Sequence, residues 1–289
     1  MTYLPDETTA LYLYGIAPSL STDGKPMEIT ALGLDGALVS LVVCRDVGVL
    51  VHSCPPFPYE GDVALVHAWV LAQHEIISAA HAQASTVLPI RFNSIVEANG
   101  DRTATEVLVA WLDRSHDEIV ARLDALRDRV ELGVRITAGA PPSDPAVGAD
   151  AAAPARGRAY FQEQLAQRKE KERLRATEAL IAQTVFDDLA ALCDGIVVNP
   201  KRPPRVGTPV ADAAGAGGRV LLDIALLAHA DKVAEIGRYL GDVTTTRGLS
   251  VRFTGPWAPY AFVGALDMPL LVDPQASEPA VNQGAYGDA

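Results

Sequence analysis

The chain has 289 residues, 49% hydrophobic and 21% charged, a composition typical of a folded globular protein and not of a disordered one. Its 24 basic and 36 acidic residues give a formal net charge of -12. That charge argues against binding to duplex nucleic acid or to anionic lipid, because both surfaces require clustered cations. The length predicts two domains, at about 150 residues each.

Targeting and redox features are few. No run reaches the roughly 18 consecutive apolar residues of a membrane-spanning helix, and the N-terminal segment lacks the basic region of a secretory signal. The three cysteines, Cys44, Cys54 and Cys193, form no CxxC motif and leave one thiol over in any pairing. We therefore expect reduced, buried thiols in a cytoplasmic protein.

In the first half, apolar periodicity predicts a mixture of strands and two helices. Asp35-Gly36 lies between two apolar runs and indicates a hairpin, whereas Thr103 and Glu106 have the spacing of a helix capping box. The predicted elements are a strand at 11–16, hairpin strands at 29–34 and 37–43, a strand at 47–52, a helix at 59–83, a strand at 86–92 with Pro89 at an edge, and a helix at 103–129.

The second half predicts the order strand, helix, strand, strand, helix, strand, which is typical of a ferredoxin-like (βαββαβ) unit with one long helix. We predict strands at 130–136, 196–198, 220–228 and 249–254, helices at 156–192 and 231–240, a mobile loop at 138–155, a loop at 200–218, and a partly disordered acidic tail after Met268. The fold class is thus α+β, with an N-terminal domain of antiparallel strands and two helices at 1–129 and the ferredoxin-like domain at 130–289.

Three histidines recur at intervals of seven along the first predicted helix: His67, His74 and His81. Seven residues of α-helix rise about 10 Å, so one metal ion cannot bridge consecutive imidazoles. His74-Glu75 resembles the beginning of an HExxH zinc motif, but Ser78 stands where the second histidine is needed. We therefore predict structural histidines and no metal site.

Motifs for cofactor binding and catalysis are also missing. The glycine-rich run at 215–218 precedes a predicted strand, whereas phosphate-binding loops follow one, and the chain has no GxSxG motif. Cys44 and Cys54 lie near His52 in sequence, and a cysteine–histidine pair can be nucleophilic, although Pro55-Pro56 favours a rigid turn there. We predict no cofactor and assign no catalytic residue.

Two further segments permit two interpretations each. The basic stretch at 156–175 is either a solvated helix face or a contact for an acidic partner. The segment GPWAPY at 255–260 is a stiff turn with an aromatic group between two prolines. It either plugs the core of the second domain or forms an exposed anchor for a partner.

Five segments in register carry a family resemblance. They are LYGI at 13–16, His74-Glu75, VLPIRF at 87–92, VELGV at 130–134 and GPWAPY at 255–260. In this order they resemble the gas vesicle accessory proteins GvpF and GvpL. Asn93-Ser94 replaces the family's Gly-Thr, and GPWAPYAF replaces GPWPPYSF, which leaves the F or L subtype open.

The resemblance implies a non-enzymatic role in building gas vesicles in the cytoplasm, through contacts with the shell protein GvpA and other gas vesicle proteins. It also implies a two-domain structure with a ferredoxin-like part. The candidate partner-binding residues are Pro256, Trp257, Tyr260, Arg91 and Phe92. For Arg91 we also expect a structural pairing beside its strand.

Two other function classes stay open from the residues themselves. Ferredoxin-like folds host many functions, so a ligand-sensing module is one alternative. A hydrolase or transferase that uses His52 with Cys54, or one of the helix histidines, is the other.

Overall fold

The chain divides into two structural units. The computed structural model describes residues 10–138, 156–198, 219–247 and 249–270. Unit 1 contains the described parts of Met1–Arg129 and Trp257–Ala289, and unit 2 those of Val130–Pro256. The sequence predicts that residues 257–289 belong to the C-terminal domain. The structure instead groups the described part of this segment with unit 1, because its side chains and carbonyls contact helices of that unit, as described below.

The sheet of unit 1 is built around one central strand. Its strands are β1 (Ala10–Pro18), β2 (Ser40–Cys44), β3 (Val47–Cys54), β4 (Leu88–Pro89) and β5 (Ile95–Val96). The order is β2-β3-β1-β4, with β5 also on β1, and the partners of β1 all run antiparallel to it. Because β1 has partners on both sides and packing on both faces, all but its last residue are buried.

The predicted hairpin around Asp35-Gly36 is only partly present. Leu34–Gly36 is a short 3₁₀ turn in which Asp35 has a φ of 52°, and a single bridge joins Leu32 to Leu38. β2 begins later, at Ser40, and pairs with β3 instead. The run at 29–34 is used for packing, since Leu34 is fully buried and its N–H donates to the Tyr14 hydroxyl.

Helix α1 (Val63–Ala84) begins where Asp62 accepts a hydrogen bond from the Leu65 N–H, and ends at Ser85 in the left-handed region. One face is buried, which explains the apolar periodicity. The buried residues of α1 are Trp69, Gln73, Ile76, Ile77, Ala80 and Ala84. By length and mean hydropathy alone α1 could also cross a membrane, although the sequence has no run of 18 consecutive apolar residues there.

The second predicted helix of unit 1 is two helices, α2 (Ala104–Arg114) and α3 (His116–Ala125). The capping box of Thr103 and Glu106 is confirmed, with both reciprocal hydrogen bonds present. The chain leaves helical geometry at Ser115, a residue of modest helix propensity, whose φ and ψ are -99° and 6°.

Unit 2 contains a four-stranded sheet and two helices. They are β6 (Arg129–Ala138), α4 (Arg156–Ala190), β7 (Gly195–Val198), β8 (Arg219–His229), α5 (Val233–Arg247) and β9 (Ser250–Trp257). The strand order is β7-β8-β6-β9, and β7 is antiparallel to β8. Val185 and Leu189 of α4, with Ile236 and Leu240 of α5, are buried in its core.

Several predictions lie outside the described residues. These are the mobile loop, described only at Ala138, the loop with its glycine-rich run at 200–218, and the tail beyond Leu270. The long helix predicted at 156–192 is confirmed as α4.

Candidate functional site

Trp257 and Tyr260 of the GPWAPY segment pack on helix α1. The Trp257 ring lies edge-on to the His74 imidazole, with 4.9 Å between centroids, and the Tyr260 hydroxyl is 3.1 Å from His74 Nδ1. Ala258 is buried, Trp257 is half-buried and Tyr260 is exposed. The interpretation of this segment as a plug in the core of the second domain was therefore wrong, because its aromatic contacts are to unit 1.

Two side chains fix the segment that follows. Trp111 Nε1 of α2 donates to the Asp267 carbonyl at 2.5 Å, and Arg122 of α3 donates to the Val263 carbonyl at 2.8 Å. Gly264 lies between these points with a φ of 74°, a conformation that favours glycine. These long-range hydrogen bonds explain why residues 257–268 belong to unit 1.

A cleft of about 620 Å³ separates this segment from the chain after β4. Ile90 and Ser94 of the wall are buried, whereas Arg91 and Tyr260 are exposed. The Ser94 hydroxyl oxygen is buried and has no hydrogen-bond partner. The lining residues are Pro89, Ile90, Arg91, Ser94, Tyr260, Ala261, Val263, Gly264, Ala265, Leu266, Asp267, Met268 and Leu270.

The structure brings some of the candidate partner-binding residues together. Arg91 and Tyr260 line the same cleft, and Trp257 lies beside Tyr260 against His74. Phe92 instead packs on the core of unit 1, with its ring 6.2 Å from that of Tyr12. Pro256 is exposed near the end of β9.

The three helix histidines have separate environments. His74 contacts Tyr260, His81 Nε2 lies 3.1 Å from the Arg129 carbonyl oxygen, and His67 is exposed. Burial lowers the pKa of both His74 and His81, which keeps their imidazoles neutral near pH 7. In the part of the chain that the structure describes, no three metal-ligating side chains form a group.

A buried polar network fills the face of β1 that carries its tyrosines. Tyr14 Oη is 2.8 Å from His52 Nδ1, and His52 Nε2 is 2.9 Å from Tyr59 Oη. Tyr12 donates to Gln73 at 2.6 Å. Tyrosines at alternate positions of a buried strand share one face and need polar partners there, so LYLY in the sequence was a usable indication of this network.

His52 lies between two tyrosine hydroxyls. Tyr14 Oη accepts from the Leu34 N–H, and a neutral His52 can accept the Tyr14 proton at Nδ1 and donate from Nε2–H to Tyr59. His52 is 2% exposed, and burial lowers its pKa to about 4. Burial also raises the pKa of the Cys54 thiol to about 11. A neutral imidazole occupied by two tyrosines and a protonated thiol do not form an activated nucleophile. All three cysteines are free, as predicted, but only Cys54 is buried, whereas Cys44 and Cys193 are half-buried.

Exposed apolar side chains lie at the beginning of α1 and, in sequence, within three residues of Asp35 and Tyr59, which contact Trp69 of that helix. Val63 is 88% exposed, and four others are exposed as well. Trp69 of α1 contacts the two segments that carry the other members. Its indole donates to Asp35 at 2.7 Å, and its ring lies 5.0 Å from that of Tyr59. The members of this α1 apolar surface are Leu32, Leu38, Phe57, Val63 and Leu65.

The chain is similar in sequence to several gas vesicle proteins. Gas vesicle protein L2 of Halobacterium salinarum is 24% identical over 261 residues, covering 87% of this chain and 90% of the relative. Gas vesicle protein L of Streptomyces sp. is 26% identical over 193 residues, covering 66% of this chain and 67% of the relative.

Solved structures share the fold. The crystal structure of GvpF from Anabaena sp. PCC7120 superposes with a TM-score of 0.61 at 19% identity, covering 90% of this chain and 98% of that one. GvpF from Microcystis aeruginosa gives a TM-score of 0.58 at 17% identity, with 89% and 99% covered. The family model described as gas vesicle synthesis protein GvpL/GvpF matches residues 10–264. The chain therefore belongs to the GvpL/GvpF family.

Proposed function

We propose that this protein is a non-enzymatic accessory factor in the cytoplasmic assembly of gas vesicles, and that it binds the shell protein GvpA together with other gas vesicle proteins. Its family membership and its relatives' names support a gas vesicle role. The observation that carries the binding role is the α1 apolar surface, exposed on a chain of net charge -12.

The apolar surface and the net negative charge have complementary roles in this proposal. Subunits of a gas-filled shell present an apolar face, which aggregates in water unless another apolar surface covers it. The exposed side chains around α1 offer such a cover. The negative charge of the rest of the chain would then keep the complex dispersed by mutual repulsion.

We place a second part of the partner contact at the cleft. Arg91 and Tyr260 line it together, and Trp257 supports Tyr260 through His74. Pro256 is exposed just before this segment. Aromatic and arginine side chains are the residue types that dominate binding energy at protein interfaces.

We further propose that residues 1–129 and 130–256 are separate domains and that the second is ferredoxin-like. Its element order β6-α4-β7-β8-α5-β9 and its strand order β7-β8-β6-β9 support that assignment.

The test is co-purification with GvpA. The wild-type chain should hold GvpA in solution, and the double variant Phe57→Ser/Val63→Ser should lose it with an unchanged thermal transition, because both residues are exposed. Val198→Ser/Val220→Ser, which changes two exposed valines of unit 2, is the matched control and should bind as wild type does. Equal GvpA retention by all three proteins would contradict this placement, and no retention by any would contradict the function.

The cleft supports one other candidate, a ligand-sensing module. Its volume of about 620 Å³ lies within the range of small-molecule sites, and the Ser94 hydroxyl in its wall has no partner. A small molecule that binds there would raise the Tm by mass action. A metabolite screen that gives no shift in wild-type Tm would remove this candidate.

A further inference from the structure

Helix α4 extends well beyond the core that it packs on. Val185 and Leu189, near its C-terminal end, are fully buried. In contrast, every residue from 164 to 177 is exposed, which amounts to almost four helical turns. A helix with solvent on all sides gains nothing from tertiary packing, and isolated helices of this length are marginal in water. Among the described residues, this stretch of α4 therefore presents exposed side chains on every side of the helix.

One stripe of this surface has an unusual composition. Leu165, Lys169, Arg173 and Leu180 follow one another at spacings of four, four and seven residues. At about 100° per residue they lie within roughly 80° of each other, on the side of the helix opposite Val185 and Leu189. Leu165 is 48% exposed and Leu180 is 69% exposed. We call these four residues the α4 stripe.

The stripe combines two kinds of attraction. Its leucines are about 22 Å apart along the axis, at a rise of about 1.5 Å per residue, and its two cations lie between them. Leucines exposed at both ends gain free energy when covered by apolar side chains. Exposed cations between them select carboxylates, because a like charge opposite them would be repelled. Glu172 borders the stripe, where it reduces the local positive charge but does not reverse it.

We propose that the α4 stripe docks an acidic amphipathic helix of a partner polypeptide, with apolar residues at its ends and carboxylates between. A nucleic acid is a poorer fit, because the chain has a net charge of -12 and the leucines would remain uncovered. A second copy is also a poorer fit, since parallel pairing would oppose each cation to itself, and antiparallel pairing would leave Lys169 opposite Ala176 and offer Arg173 only the bordering Glu172. This proposal concerns unit 2 and does not depend on the α1 apolar surface.

The experiment uses the full chain and two synthetic helical peptides of 18 residues. Both carry leucines four turns apart, and they differ only in having glutamates or lysines between them. We expect fluorescence anisotropy to show at least tenfold tighter binding of the glutamate peptide, weakened by salt as charge pairing requires. Equal affinity for the two peptides, or no binding of either at millimolar concentration, overturns the proposal.

Variants test the location. The variant Lys169→Glu/Arg173→Glu should no longer bind the glutamate peptide and should bind the lysine peptide instead. It should fold, because both side chains are exposed. Arg168→Glu/Lys171→Glu makes the same charge change off the stripe and is the matched control, expected to keep more than half of the affinity. If the control loses as much, the stripe is not the site. If light scattering shows a dimer that Leu165→Ser/Leu180→Ser dissociates, a second copy is the occupant and the proposal is wrong.

Discussion

Acid should destabilise this protein through one buried histidine. His52 is 2% exposed, and both ring nitrogens are held by tyrosine hydroxyls. Its pKa falls from 6.5 to about 4 on burial, so the unfolded state binds the proton more tightly than the folded state. His52 therefore leaves the free energy of unfolding undiminished above pH 6.5 and lowers it progressively as the pH falls from 6.5 to 4.

The magnitude follows from that difference in pKa. Each pKa unit corresponds to about 1.4 kcal/mol, so full protonation costs about 3 kcal/mol. At pH 5, where only the unfolded state is largely protonated at this site, the loss is about 2 kcal/mol. Burial also lowers the pKa of His74 and His81, so protonation of these two histidines also reduces the free energy of unfolding as the pH falls.

The assay is urea unfolding of wild type and His52→Gln from pH 8 to pH 4. A glutamine amide can still accept from Tyr14 and donate to Tyr59, but it does not titrate. The other histidines are common to both proteins, so their contribution cancels in the difference. The stability of wild type relative to the variant should fall by about 2 kcal/mol between pH 8 and pH 5. A difference that stays constant over this range would refute the assignment of His52 as a buried neutral imidazole.

Three other substitutions test separate features by denaturant unfolding. Thr103→Ala removes the cap of α2 and should cost about 1 kcal/mol, whereas an unchanged midpoint would show that the capping box is not stabilising. Gly33→Ala places a methyl group against the Tyr14 hydroxyl and should cost about 2 kcal/mol, and a neutral result would mean that this loop relaxes freely. Trp257→Ala removes a half-buried indole from His74 and should cost about 2 kcal/mol, less than a fully buried tryptophan. A loss below about 0.5 kcal/mol would show that this indole does not hold its segment on α1.

Local patterns determined the elements whose formation depends on neighbouring residues. The side-chain spacing of α4 and the capping pair Thr103 and Glu106 were sufficient, because helix periodicity and capping act within a few residues. The alternation in β1 likewise marked a strand. The sequence did not predict the break between α2 and α3 at Ser115, because both flanking segments have good helical patterns and no proline separates them.

Tertiary structure decided everything that depends on residues far apart in the chain. The GPWAPY segment could be recognised as stiff, but its docking on α1 depends on His74, which is 186 residues from Tyr260. His52 looked like a possible partner of Cys54, yet strand pairing turned it toward Tyr14, 38 residues away. Sequence spacing limits only nearby contacts, whereas sheet register and helix packing select the distant ones. The amino-acid sequence by itself therefore determined which segments are stiff, apolar or charged, and the fold determined which of them meet.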